Sequence, residues 1–357
     1  MVALTLAMGL VVACGPTPAQ QSAQQPAAKE AASTGGQASG TATYKMRIGH
    51  PMAPSHQVSL GYDKFKELVE KKSNGKVSIE IFPNSVIGSD RETHEAMQKG
   101  TLEMSSSSTP NMASFTNKFL ATDLPYIIET KEEAKKVADG PPGDALRAEV
   151  EKVGMKILMF TDYGFRQAGT VKNAVKLPAD IKGLKWRTTN SPVEVAVFKA
   201  LGANPTPIAW GEVYTALQQG TIDGEGNSYS LLYHSKHNEV LKYMAETNYN
   251  YSYHVLCINK KYFEGLPKDI QDVLTTSAKE ALDWERQMSD QVEKDAEKGM
   301  VDSGVKIYKP TPQEYAQWKE PMAKVWEQFV VPGQADPEFV DLILKTLGKT
   351  REGLFKK

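Results

Sequence analysis

Arg187 lies in GLKWRTTNSPVEVAVFKALG (183–202), at the end of a strand-like stretch and directly before a helix that is apolar along one side. A guanidinium placed there is either a solvated edge charge or a planar fork able to give two parallel hydrogen bonds to a carboxylate or phosphate. The other candidate groups carry weaker chemistry. Asp223, Glu225 and Asn227 alternate like the start of a calcium loop, but the sixth position is Ser228 rather than glycine and the twelfth is His234 rather than Glu, which excludes an EF-hand. His234 and His237 could present two imidazoles on one helix face, yet no third ligand completes a metal site, and the spacing fits solvated histidines better. Ser105 to Ser108 lack the elbow of a serine hydrolase, and neither a P-loop nor a GxGxxG after a strand is present. Cys257, in VLCINK, fits a small apolar position in a strand. No nucleophile has a plausible base beside it in the chain, so catalytic residues, a cofactor and a metal are not expected.

Composition supports binding over nucleic-acid work. The 42 basic and 43 acidic side chains nearly cancel, leaving a formal charge of -1, where a nucleic-acid partner calls for a basic stripe. With 357 residues the chain is long enough for two lobes of ordinary size, each with its own core. The two cysteines, Cys14 and Cys257, sit in unrelated contexts and form no disulfide framework.

The N-terminus has its own logic. Residues 1–13, MVALTLAMGLVVA, are an apolar run of signal-peptide core length, too short to span a membrane, and Val11-Val12-Ala13-Cys14 resembles a bacterial lipobox. Cleavage before Cys14 would leave a lipid-bearing cysteine. No Lys or Arg precedes the run, so the translation start is expected further upstream. Residues 15–43 hold no large apolar side chain and cannot offset the entropy of ordering. They are expected to act as a tether with an r.m.s. reach of roughly 30 Å for about 29 residues. The expectation is an extracytoplasmic, lipid-anchored module.

The elements that must position Arg187 begin at Tyr44. KMRIGH (45–50) is a strand, GYDKFKELVEKKSNGK a helix with Phe65, Leu68 and Val69 on one face, and VSIEIF (77–82) a strand. SDRETHEAMQKG is a helix capped at Ser89 or Asp90, and LEMSSSS (102–108) a third strand. Strand and helix alternating at these lengths imply βαβ units and a largely parallel sheet. The alternation restarts after Asp162 with GFRQAGTVK and GLKWRTT, a helix with Pro192 in its first turn, the helix WGEVYTALQQG and strand-like IDGEGN. YSYHVLCINKKYF (251–263) is expected to return between lobes. The expected fold class is therefore α/β and two-lobed, like a periplasmic binding protein, each lobe a mainly parallel sheet flanked by helices. The expected division is 44–163 plus 254–292 for one lobe and 164–253 plus 293–357 for the other.

From Pro267 to about Gly304 only Gly299 interrupts an apolar pattern at spacings of three, four and seven. A helix of about 36 residues would be roughly 54 Å long and is expected to run along both lobes. A coiled-coil arm for dimerisation is the competing reading, weakened by a seam poor in Leu and Ile.

IGSDRETHEAMQKGTLEM (87–104), LPYI (124–127), GFRQAGT (164–170), GLKWRTTNSPV (183–193) and EVYTALQQGTIDGEGN (212–227) resemble the solute-binding proteins (P subunit, DctP type) of tripartite ATP-independent periplasmic (TRAP) transporters. The similarity covers residues 45–345 in family order. It implies a receptor that closes on a small organic anion and delivers it to TRAP membrane subunits. It implies that Arg187 forms a bidentate pair with the ligand carboxylate, that Arg166 lies near the same carboxylate, and that Asn227 supplies an amide contact. It also implies that Arg91 and Glu92, in GSDRE, add a further polar contact from the first lobe.

The chain departs from the family pattern in two places. Trp186 stands where a smaller aliphatic is usual, with Trp210 and Tyr214 flanking the region, and Asn227 is followed by Ser228 and Tyr229 rather than by Pro. These aromatics either stack on a sugar or aromatic ring or belong to the core. Sugar acids, 2-hydroxy acids, keto acids and dicarboxylates therefore stay open as ligands. Two other functions also stay open: a secreted α/β enzyme using His234, His237 or Glu225 on an anionic substrate, and a ligand sensor for a membrane receptor.

Overall fold

The computed structural model describes residues 43–355. The expected signal peptide, Cys14 and all but the last residue of the tether lie outside these. Nine strands occur among the described residues: β1 Tyr44–Gly49, β2 Val77–Phe82, β3 Met104–Ser108, β4 Met155–Thr170, β5 Lys185–Thr188, β6 Asn204–Pro207, β7 Gly224–Asn227, β8 Tyr243–Asn259 and β9 Lys306–Tyr308. They form one sheet in the order β2-β1-β3-β8-β4-β7-β5-β6, with β9 added to β8.

Each end of that sheet is parallel, as the βαβ alternation requires: β1 pairs with β2 and β3, and β5 with β6 and β7. Between the ends run β4 and β8, antiparallel to each other and 16 and 17 residues long. Strands of globular proteins average about 5 to 6 residues, so this pair is long enough to serve both halves. The sequence places the start of a strand at Gly164, whereas β4 begins at Met155. Its register with β8 shifts between Asp162 and Gly164, where one strand carries an extra residue, and Gly164 adopts φ 108°. The two ends are thus continuous through the sheet, and β4 carries a bulge at this point.

Helices cover both faces. Gln57–Lys72 starts where the His56 side chain accepts the Val58 N–H, and it buries Phe65 and Val69. Asp90–Gln98 is held by a reciprocal capping box between Ser89 and Glu92. The expected long helix is Lys268–Asp302, 35 residues, which at 1.5 Å per residue is about 52 Å. Its Ile270, Leu274, Ala278 and Ala281 pack with Met46, Val58 and Phe65 of the first half. Its Ala296 and Met300 pack with Val213, Leu217 and Leu232 of the second. This periodicity serves two cores of one chain, which is why the seam lacks the Leu and Ile of a coiled-coil arm.

Trp186 is fully buried and stacks on Phe198 at 4.6 Å between centroids. It belongs to the core. Its ring also explains the glycine that opens β7: a Cβ on Gly224 would lie 2.5 Å from Trp186 Cζ3 and 2.6 Å from the Gly169 carbonyl oxygen. Gly224→Ala is expected to lower unfolding stability by about 1 to 3 kcal/mol, the usual cost of overpacking, read as a fall in the urea midpoint. An unchanged midpoint would show that β7 can move away from Trp186.

Candidate functional site

Two parallel pairs of strands, one from each end of the sheet, point their carboxyl ends at a common region. β5 carries Arg187 near its carboxyl end, β7 ends in Asn227, β1 is followed by His50, and β3 ends in Ser107 and Ser108. Ligands in open α/β sheets sit outside such ends, where the backbone turns away and side chains converge.

Arg187 is only 3% exposed. Its Nε and Nη2 both donate to the Ile208 carbonyl, at 3.0 and 2.9 Å, and its guanidinium carbon lies 5.6 Å from the Trp210 ring centroid. One edge of the fork is thereby fixed, while Nη1 takes part in no hydrogen bond among the described residues. Arg187 lines a small cavity of about 40 Å³ together with Asp90, Arg91, Asn111, Asn190 and Trp210. Residues from both halves of the chain therefore meet at this guanidinium. A wider opening of about 480 Å³ continues from it past Ser85 and Trp210 to Tyr214, His234 and His237.

Arg166 is buried more deeply. Its Nε donates to Ser252 Oγ at 3.0 Å, and its Nη1 donates to the Gly226 carbonyl at 3.0 Å and to Asn227 Oδ1 at 2.8 Å. Glu194 Oε1 lies 3.6 Å from the same nitrogen. Asn227 is equally committed: Oδ1 also accepts the Tyr163 hydroxyl at 2.6 Å, and Nδ2 donates to Glu225 Oε2 at 2.9 Å. Glu225 pairs with His237 through its other oxygen. Burial opposes ionisation of Glu225, but His237, Arg187 and Asn227 outweigh it and hold the carboxyl below its usual range. These motif positions thus contract into a network in which Arg166 and Asn227 bind each other.

Asp123 closes that network from the first half, hydrogen-bonded to Ser191, the cap of helix Pro192–Ala200. Burial, then the nearby Glu194 carboxylate, push Asp123 up to about 8 despite Ser191 and Arg166. The folded chain therefore keeps this proton after the unfolded chain, with the ordinary value of 3.8, has released it. Stability contributed here is present at low pH and is lost as pH rises from about 4 towards about 8, with a slope of at most about 1.4 kcal/mol per pH unit. Asp123→Asn is expected to flatten the pH dependence of urea unfolding in that window. An identical slope in the variant would sink the assignment.

The remaining candidates sit as follows. Arg91 lines the Arg187 cavity, but its Nε pairs with Glu95 at 2.8 Å on an exposed helix face. Glu92 receives the Ser89 N–H and hydroxyl, both at 2.8 Å, as the acid of the capping box. Trp210 stacks on His237 at 4.6 Å, and Tyr214 donates to Glu239 at 2.8 Å. His234 bonds Ser55 across the opening at 2.8 Å. Among the described residues no group of three His, Cys, Asp or Glu side chains is placed to hold a metal. Sequence reading missed Tyr163, Asp90, His50 and His254. Only His50, at the end of the strand KMRIG, carried a usable signal, a polar side chain at a strand's carboxyl end.

Residues 48–331 match the family model described as bacterial extracellular solute-binding protein, family 7. The chain is 33% identical over 269 residues to the 2,3-diketo-L-gulonate-binding periplasmic protein YiaO of Escherichia coli, covering 75% of this chain and 82% of that one. A TRAP periplasmic solute-binding protein from Sulfurospirillum deleyianum, solved with bound succinate, superposes with a TM-score of 0.81 at 30% identity, covering 85% of this chain and 99% of that one. The sugar acid binding protein DctPAm from Advenella mimigardefordensis, solved with galactonate, gives 0.83 at 29%, covering 87% and 99%.

Proposed function

Since the chain belongs to bacterial extracellular solute-binding protein family 7, the solute receptors of TRAP transporters, we propose that it captures a small organic acid outside the cytoplasm and delivers it to TRAP membrane subunits. The observation that carries this reading is Arg187, a buried guanidinium fixed along one edge by the Ile208 carbonyl and lining a cavity shared by both halves. Such a fork matches the two oxygens of a carboxylate, and a site that excludes water strengthens each charge-assisted bond.

The mechanism is closure. The lobes are 44–163 with 254–292 and 164–253 with 293–357, and the bulge at Asp162 to Gly164 is where β4 and β8 can bend. A carboxylate on Arg187 whose far end touches the Asp90 side bridges both lobes and so binds the closed state better than the open one. Arg166 orients Asn227 and leaves Nη2 for the same carboxylate. Catalysis has less support, since His237 is tied to Glu225 and His234 to Ser55.

Calorimetric titration of the purified chain with mono- and dicarboxylates tests the reading. Binding without turnover is expected; conversion of any bound acid would favour the enzyme. Delivery is tested by uptake into vesicles holding the membrane subunits, which a pure sensor would not drive. Cys14 anchors the receptor through lipid at the outer face of the membrane. Cys14→Ser is expected to move the chain from the membrane fraction to the soluble fraction on cell fractionation, and continued sedimentation with membranes would remove the anchor.

A further inference from the structure

A second set of buried polar groups lies around the ends of β1 and β3, next to residues that line the Arg187 cavity. The ends of β1 and β3 lie side by side, with Gly49 beside Ser105, and the next residue after β1, His50, is 1% exposed. Neither ring nitrogen of His50 makes a hydrogen bond among the described residues. The His50 carbonyl accepts the N–H of Ser85, a residue lining the Arg187 cavity, at 3.1 Å. On the other side of β3, β8 places His254 opposite Ser108. His254 Nδ1 shares a hydrogen bond with Ser106, which is also bonded to the Tyr62 hydroxyl, while the buried Nε2 of His254 has no hydrogen-bond partner among the described residues.

Tyr163 joins this set to the arginines. Its ring stacks on His254 at 5.9 Å, and its hydroxyl donates to Asn227. Asp90 completes the wall, its Oδ2 accepting from Ser107 at 2.9 Å and Asn111 at 2.7 Å. A buried polar atom without a partner is costly, and such atoms in a native structure call for a reason.

Burial holds His50 down at about 4, and holds His254 well below its ordinary value, with His50, His56, His94 and Arg166 adding to the effect. Each ring is therefore neutral near pH 7, with one N–H and one lone pair. An alcohol group carries the same complement, one donor and an acceptor. A second carboxylate offers acceptors only, and it would meet the Asp90 carboxylate rather than a cation. Arg91, the other charged group lining the cavity, is already paired with Glu95 and its side chain is 66% exposed.

We propose that His50 and His254 read hydroxyl groups on the distal part of the ligand, so that the receptor takes a polyhydroxylated monocarboxylic acid, a sugar acid, and rejects dicarboxylates. This rests on the reading of Arg187 as the carboxylate partner.

The test is titration calorimetry of the full chain against D-gluconate, L-gulonate and D-xylonate, with hexanoate as the acid lacking hydroxyls and succinate as the dicarboxylate. At least one aldonate is expected to bind about a hundredfold or more tighter than hexanoate and succinate, as sites built to bond a hydroxyl discriminate strongly against its absence. His50→Phe is expected to lower the aldonate-to-hexanoate affinity ratio at least about tenfold, and His50→Gln to recover part of it. His254→Gln provides the same comparison if His50→Phe does not fold. Succinate or hexanoate binding as tightly as the best aldonate overturns the inference and leaves the receptor reading intact. An unchanged ratio in both histidine variants also overturns it. Failure of every acid to bind the parent chain would instead fail the carboxylate reading itself.

Discussion

Arg187→Ala is expected to weaken binding of the acid ligand by at least about 2 to 3 kcal/mol, roughly 30- to 150-fold, the loss of a charge-assisted pair in a buried setting. The geometry sets this lower bound. Two of the guanidinium nitrogens are spent on the Ile208 carbonyl, so the fork is already oriented, and little entropy remains to be lost when a carboxylate arrives. Folding stability should suffer less than affinity, because Arg187 hydrogen-bonds one backbone carbonyl and lies over the face of Trp210, and the Glu225 carboxylate whose charge it favours keeps His237 and Asn227 as partners. Arg187→Lys keeps the charge but loses the planar fork, and is expected to fall between the two. Titration calorimetry decides it. Retained affinity in the alanine variant would remove Arg187 from the site.

Arg166→Ala should fail in a different way. Arg166 is a buried cation among Asp123, Glu194, Asn227 and the Gly226 carbonyl. Removing it leaves buried acceptors and at least one carboxylate without compensation, which typically costs about 3 to 5 kcal/mol of stability. The urea midpoint is expected to drop accordingly, and affinity to fall as well because Asn227 loses the group that orients it. A variant of near-parental stability with lost affinity would mean that Arg166 acts on the ligand alone. A variant unaffected in both would show that the polar network re-forms without it.

These two arginines looked alike in the sequence, each in a strand-like motif with a ligand role implied by the same resemblance. Their surroundings separate them. Arg187 faces a cavity and keeps an unused edge, whereas Arg166 is enclosed by groups from distant segments, such as Asn227, 61 positions away, and Ser252, 86 positions away. No local pattern encodes such pairings. Glu92 is the opposite case: its place in GSDRE suggested a ligand contact, but its carboxylate caps its own helix. Serine three residues before it is the local signature of that cap.

The sequence by itself determined the alternation of strands and helices, the long helix and its two apolar ends, the family, and Arg187 as the residue to examine. These are carried by short-range periodicity, by glycine and proline at fixed offsets and by contiguous motifs, all of which act within a few residues. Only the tertiary structure decided that β4 and β8 are single strands shared by both halves, that Trp186 is core, and that Asn227 is bound to Arg166 and Tyr163. It also left nitrogens of His50 and His254 buried and, among the described residues, without a hydrogen-bond partner beside the ends of β1 and β3. Each of these depends on which distant segments meet and on how much water they exclude. Burial and partnership are properties of the assembled fold, and a residue's type fixes only the chemistry it can offer once they are settled.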